Sequence, residues 1–299
     1  MSSSDDDRAT TFERYRPRLF GVAYRMLGSV DDAEDVVQET YLRWHQADVD
    51  VVREPEAWLV AVASRLAIDR LRKRSAERVA YDGTWLPEPV ATDERAVPDF
   101  RAELASDLSM AFLVLLERLS PEERAALLLY DVFDWSYDEI ARTLEKSEVA
   151  CRQLVHRARE RVRRVRPRFP VPADAKERLL GRFLDALAAD DERGVLSLLA
   201  EDATFAADGG GRVPSVRREV RGADRVAKLL LGYERKGRGL VTHRIRWLNG
   251  EPAIVSYAAG RVVFTTSLET DGERIRACYR VLDPEKLQHV DAASKPVDY

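Results

Sequence analysis

Cysteine is nearly absent: the 299-residue chain holds two, Cys151 and Cys278. They lie far apart, which excludes a disulfide framework and any cysteine-based zinc spacing. Cys151 falls on the inner face of a helix, where a small buried hydrophobe is expected. Long apolar runs are missing too: none approaches the ~18 residues a spanning helix needs. The opening stretch MSSSDDDR is acidic and polar, so it does not read as a signal peptide. No P-loop, dinucleotide fingerprint or metal motif occurs, and no cofactor is expected. A global excess of positive charge is also absent, the net charge being −4. Together these absences point to a cytoplasmic protein with no membrane partner. With 45% hydrophobic residues and ample aromatics, the length suits two or three packed domains.

The charge that is present is segregated. Residues 152–168 are almost purely basic, whereas Asp31, Asp32, Glu34, Asp35 and Glu39 form an acidic block. Local sign decides partners more than the sum does.

The most informative stretch is SYDEIARTLEKSEVACRQLVHRARERVRRVR, residues 136–166. Ser136 followed by Glu139 is a capping box. Ile140, Ala141 and Leu144 give a first helix its apolar face, and Ser147 caps a second. Cys151, Leu154, Val155, Ala158, Val162 and Val165 keep helical spacing along that second helix. Its other face carries Arg152, Gln153, His156 and Arg157, then Arg159, Arg163 and Arg164. The pattern is a helix-turn-helix with a basic recognition helix. Arg forks onto guanine and Gln onto adenine, so the early residues suit base edges and the late arginines suit phosphate. The competing reading is an ordinary helix pair with a solvated basic face.

Upstream, residues 1–9 read as disordered. A helix starting near Thr10 or Thr11 and ending at Gly28 presents Phe12, Tyr15, Leu19, Phe20, Ala23 and Leu27 inward. In VDDAEDVVQETYLRWHQ, residues 30–46, Val36, Val37, Thr40, Tyr41 and Trp44 face inward, leaving Asp35, Gln38, Glu39 and Leu42 as a ridge. Helix 56–78 has an apolar face of Trp58, Leu59, Val62, Leu66 and Leu71, with Trp58 read as core. Its far end is basic. An acidic ridge and a basic end suggest two partners of opposite sign.

GSVDDAEDVVQETYLRW, then AWLVAVASRLAIDRLRKR, then LERLSPEERAALLLYDVFDWSYDEIARTLEKSEVACRQLVHRARERV resemble, in that order, a bacterial sigma factor of the extracytoplasmic-function (ECF) type. The resemblance implies that Asp35, Gln38, Glu39 and Tyr41 contact core RNA polymerase. It places Arg65, Asp69, Arg72, Lys73 and Arg74 at or near the melted minus-10 strand. It places Arg152, Gln153, His156 and Arg157 in the minus-35 major groove of promoter DNA. Many relatives carry Asn four residues before the Asp of AIDRLR; Arg65 stands there in this chain. Modest overall charge suits such a protein, which gains DNA affinity by being placed on polymerase.

Residues 79–103 read as a linker, and within it WLPEP (Trp85, Leu86, Pro87, Glu88, Pro89) is stiffened by its prolines into an extended shape suited to docking. Pro167, Pro170 and Pro172 mark a second boundary. Beyond it come helices over 175–189 and 195–199, a strand over 203–208, the glycine break Gly209–Gly210–Gly211, and a resumed strand over 218–222. A helix over 223–231 follows, then four strand-like runs over 240–248, 253–258, 261–269 and 274–282. This is an α+β pattern ending in an antiparallel meander. It resembles the SnoaL-like cone fold, and WLPEP, DGGGRV from Asp208 and DPEKL (Asp283, Pro284, Leu287) resemble an ECF subgroup carrying such an extension. The resemblance implies regulation in cis, no separate anti-sigma factor, a pocket for a small ligand, and contact between WLPEP and the DGGG loop. Read alone, DGGG is only a tight turn needing positive φ.

The expected architecture is therefore multi-domain: two all-α sigma domains, the second with the helix-turn-helix, and a C-terminal α+β domain with a curved antiparallel sheet. Its divisions are residues 1–9, region 2 over 10–80, the linker over 81–103, region 4 over 104–168, a hinge over 169–173 and the SnoaL-like domain over 174–299. Two alternatives compete: a one-component ligand-sensing helix-turn-helix regulator, and a cone-domain enzyme tethered to DNA. The acidic ridge discriminates against the first, since an autonomous regulator has no use for it. Asp202, Asp208, His243, Tyr257 and Tyr279 form no recognisable catalytic pair, so no enzyme is expected.

Overall fold

The computed structural model describes residues 3–48, 52–77, 81, 83–92, 108–163 and 171–294. They form two compact units, drawn from Met1–Val79 with Leu113–Arg166, and from Ala80–Phe112 with Pro167–Tyr299.

The first unit is helical. Its amino-terminal part comprises α1 (Ser3–Leu27), α2 (Val30–Gln46) and α3 (Pro55–Glu77). The expectation of disorder is corrected for residues 3–9: the helix begins at Ser3 rather than near Thr10 or Thr11, and residues 1–2 lie outside the described residues. Ser29 caps α2, its Oγ accepting from Asp32 N at 3.4 Å. Leu19, Ala23 and Leu27 of α1, Ala33 and Val36 of α2, and Leu59 and Ala63 of α3 make the shared core. Trp58 departs from its expected core position: it is half-buried, tilted against Trp44 with ring centroids 5.5 Å apart.

A short helix, α4 (Met110–Leu116), crosses the division between the units. It is followed by α5 (Pro121–Asp131), α6 (Tyr137–Leu144) and α7 (Glu148–Arg163). Pro121 at the first position and a reciprocal capping box between Ser120 and Glu123 start α5. Arg124 is fully buried and satisfied within this unit. It donates to Met26 O at 2.6 Å and Leu116 O at 2.9 Å, and pairs with Glu117 at 2.8 Å. It thereby ties the end of α1 to the α4–α5 corner.

In the second unit α8 (Ala173–Ala188) and α9 (Glu192–Leu198) precede β1 (Leu199–Asp208), β2 (Val220–Arg221) and α10 (Ala223–Gly237). Then come β3 (Thr242–Leu248), β4 (Glu251–Ala258), β5 (Arg261–Thr270), β6 (Ile275–Val281) and α11 (Gln288–Ser294). The sheet order is β2-β1-β6-β5-β4-β3. β3 to β6 form the expected antiparallel meander, but β1 lies parallel to β6, so the sheet is mixed rather than antiparallel. The long connection through α10 permits that pairing, because parallel neighbours need a crossover rather than a hairpin. Asn249 (φ 54°) and Gly250 (φ 74°) make the tight β3–β4 turn, where an Asn-Gly pair tolerates two positive φ values. Phe183, Val195, Phe205, Val226 and Ile275 bring three helices and the sheet into one core.

Replacing Arg124 with Met removes a donor from two carbonyls and the partner of Glu117. We expect a loss of about 3–5 kcal/mol, the usual cost of breaking a buried charge pair, read by chemical denaturation followed by circular dichroism. A loss below about 1 kcal/mol, typical of exposed pairs, would show that Arg124 does not tie these helices together.

Candidate functional site

Three sets of side chains carry the chemistry. The first is on the helix-turn-helix. Ser136 caps α6 through a full capping box with Glu139, and Glu145 takes the left-handed conformation (φ 54°) that ends it. Ser147 Oγ then accepts from Ala150 N at 3.2 Å to open α7. Cys151, Leu154, Val155, Ala158 and Val162 are buried as the spacing predicted, and Arg152, Gln153, His156 and Arg157 stand exposed on the other face. Arg152 lies over the Tyr137 ring at 4.9 Å and pairs with Glu148 at 3.4 Å. Arg157 and Arg161 both reach Glu123, at 3.2 and 2.6 Å. Glu123 is thus both a helix cap and a clamp on the recognition helix, a role the capping-box pattern alone does not reveal. Arg164 and Val165 lie outside the described residues, as does the side chain of Arg163.

The second set lies on α2 and α3. Asp35, Gln38, Glu39 and Leu42 form an exposed row, while Tyr41 is half-buried and meets Phe12 edge-on at 5.0 Å. Asp35 pairs with Arg70 at 2.9 Å and Glu39 with Arg43 at 3.1 Å. On α3 Asp69, Arg72 and Lys73 are exposed. Arg72 bridges Asp69 at 3.3 Å and Glu122 at 2.8 Å, and Arg74 pairs with Asp32. Arg65 donates to Arg142 O at 3.0 Å and Thr143 O at 3.2 Å, satisfying carbonyls at the end of α6. Within this unit, then, Arg65 and Arg72 are engaged by the helices that precede the recognition helix.

The third set joins the linker to the rest of the second unit. Asp208 ends β1 with its side chain buried. Its carboxylate accepts from Leu86 N at 2.8 Å, Gly210 N at 2.9 Å, the Tyr81 hydroxyl and Lys286 Nζ at 2.7 Å. Lys286 also donates to Leu86 O at 2.6 Å and lies 4.1 Å from the Trp85 ring centroid. Burial pushes the Lys286 ammonium below its ordinary pKa, against the pull of Asp208. Burial, then the bond to Asp208, pushes the Tyr81 hydroxyl well up. Leu86, Pro87 and Pro89 are buried, whereas Trp85 and Glu88 are half-buried. Further along, Val90 N and O bond Asn249, and Thr92 N donates to Trp247 O at 2.9 Å, so the linker runs onto the β3–β4 hairpin.

The glycine loop is both a tight turn and a contact. Gly210 and Gly211 have φ of 66° and 70°. A Cβ on Gly210 would stand 2.3 Å from the Asp283 carboxylate, and one on Gly209 2.0 Å from Val213 O. The buried Asp283 accepts from Arg212 at 3.2 Å and caps the turn ahead of α11, Pro284 is exposed, and Leu287 is buried. The residues missed in the sequence were Tyr81 and Lys286; the only signal for Lys286 was its place inside DPEKL. Asp202, Asp208, His243, Tyr257 and Tyr279 do not converge. Asp202 is exposed, Asp208 serves the linker, and Tyr279 bonds Glu269 at 3.2 Å.

Residues 11–77 match the family Sigma-70 region 2, and residues 109–162 match Sigma-70, region 4. The chain is 40% identical over 289 residues to the ECF RNA polymerase sigma factor SigJ of Mycobacterium tuberculosis, covering 92% of each. It is 29% identical to the probable ECF RNA polymerase sigma factor SigI of that organism, covering 97% of this chain and 98% of the relative. The crystal structure of the M. tuberculosis SigJ superposes with a TM-score of 0.77 at 36% identity, covering 97% of this chain and 100% of that one. With its two sigma regions matched in order and 92% of its length aligned with SigJ at 40% identity, the chain belongs to the ECF family of RNA polymerase sigma factors.

Proposed function

We propose that the protein binds core RNA polymerase, directs it to specific promoters and helps initiate transcription, and that its C-terminal α+β domain regulates this in cis. Membership of a non-enzymatic family removes the tethered-enzyme alternative. The observation that carries the regulatory reading is the Asp208–Lys286–Leu86 contact, which fastens the linker between the two sigma regions onto the C-terminal domain.

In this reading Asp35, Gln38, Glu39 and Tyr41 meet polymerase. Arg65, Asp69, Arg72, Lys73 and Arg74 serve the minus-10 strand, where cations track an unstacked single strand. Arg152, Gln153, His156 and Arg157 read the minus-35 groove. The bonds of Arg65 with α6 and of Arg72 with Glu122 are exchanged for bonds with DNA on polymerase. A surface ion pair such as Arg72–Glu122 is worth only about 0–1 kcal/mol, so that exchange is cheap. The linker attachment substitutes for a separate anti-sigma factor, and a small ligand in the cavity of the C-terminal domain shifts the balance through its differential affinity. The protein works in the cytoplasm. The exposed acidic row on α2 favours this reading over a one-component regulator.

Replacing Arg152 and Arg157 with Ala should weaken minus-35 binding of the polymerase complex by about 1–3 kcal/mol for each bidentate pairing with a base that disappears. Unchanged promoter choice in a selection from random DNA would remove both from the reading set. Asp35→Arg with Glu39→Arg should abolish recovery of core polymerase in a pull-down while leaving the helical circular dichroism intact; normal recovery would count against the ridge. Asp208→Asn leaves Lys286 without its charge partner and should speed amide hydrogen exchange over residues 84–92. Exchange as slow as in the parent would mean the linker is held by other bonds.

A further inference from the structure

The second unit encloses a cavity of about 150 Å³. That is the size of an engineered protein cavity that admits benzene, roughly 150 Å³. Tyr233, Val241 and Phe264 give it apolar walls, and Glu234, His243 and Arg280 its polar groups.

Arg280 is the unusual one. It projects from β6, a central strand, and is only 9% exposed. Its Nε donates to Thr266 Oγ1 at 3.0 Å. The rings of Phe264, Phe205 and Tyr233 lie 4.4, 5.4 and 5.5 Å from its Cζ. Among the described residues no carboxylate pairs with it. The acid on the cavity wall, Glu234, lies instead 3.2 Å from His243 Nε2, without the angle of a hydrogen bond. His243 Nδ1 is 2.8 Å from Ser256 Oγ. Burial pushes the Arg280 guanidinium down to about 10, which leaves it protonated at neutral pH.

A buried cation is costly unless it is paired. Aromatic faces repay part of that cost, and one hydroxyl uses one of five guanidinium donors. We propose that the cavity binds a small carboxylic acid as its anion, with an apolar body of about one aromatic ring, the carboxylate taken by the Arg280 guanidinium. This rests on the reading that the cavity takes a ligand and names the class of that ligand. A guanidinium fork matches a carboxylate in shape and charge. The aromatic walls suit a ring, which packs against them edge-on or offset. One cation calls for one negative charge.

The test uses the full chain and ligand-observed fluorine NMR with two probes of equal shape, 4-fluorobenzoate and the uncharged 4-fluorobenzamide. Saturable binding of the benzoate, at least about tenfold tighter than the amide as a charge-assisted bond implies, is expected. Val241→Trp, which fills the cavity from a half-buried turn, should abolish it without lowering the melting temperature. Arg280→Met should equalise the two probes; should that variant not fold, the ratio in the parent chain decides alone. Equal binding of the two probes by the parent would overturn the anion inference while leaving a ligand-binding cavity. Absence of saturable benzoate binding, or binding untouched by Val241→Trp, would overturn it outright.

Discussion

The second unit is organised around the buried carboxylate of Asp208. Asp208 sits where β1 ends, with its side chain out of reach of solvent. Tyr81, Leu86 N, Gly210 N and Lys286 take the place of water, and all donate to it. The dependence runs both ways. Lys286 is itself buried and relies on Asp208, on Leu86 O and on the Trp85 ring. Removing the linker would strip two donors from a buried anion and an acceptor from a buried cation at once, and a partly satisfied buried polar network is costly even when its ion pair survives. The linker is therefore not a passive tether. Its Leu86 is buried in the second unit, and the three motifs that resemble the family pattern, WLPEP, DGGGRV and DPEKL, meet in one contact.

The first unit is built on a different principle. Its core is largely apolar around two buried guanidinium groups, Arg25 and Arg124, and that of Arg124 is satisfied within the unit. The polar pairs made by Arg72 and Arg152 lie instead at the surface. Arg72 is half exposed where it meets Glu122, and Arg152 is exposed where it meets Glu148. Such pairs are weak and screened by salt. A strongly fixed linker combined with weakly held surface arginines is the arrangement that the proposed function calls for: side chains free to exchange partners on polymerase and an attachment that persists.

Much of this was legible in the sequence because it is written locally. The capping box of Ser136 and the glycine loop depend on residues a few positions apart. So does the burial of Cys151, Leu154 and Ala158 on one side of α7. What escaped depends on contacts across long sequence separations. Tyr81 meets Asp208 over 127 positions and Lys286 meets Leu86 over 200. The parallel β1–β6 pairing joins strands with the whole meander between them. Arg280 reads as one polar residue in an alternating strand; only the folded sheet puts it among Phe205, Tyr233 and Phe264. The early start of α1 was missed because charged residues at a helix amino terminus look, by composition alone, like a disordered tail.

The measurement that bears most directly on the sigma-factor reading is run-off transcription with bacterial core polymerase on a promoter selected from random DNA. It compares the full chain with one ending at Arg168. The expected result is a promoter-specific transcript that depends on core polymerase, in an amount that changes when the C-terminal domain is removed. No transcript from either chain, with the full chain shifting DNA alone, would contradict that reading and leave a one-component regulator in its place.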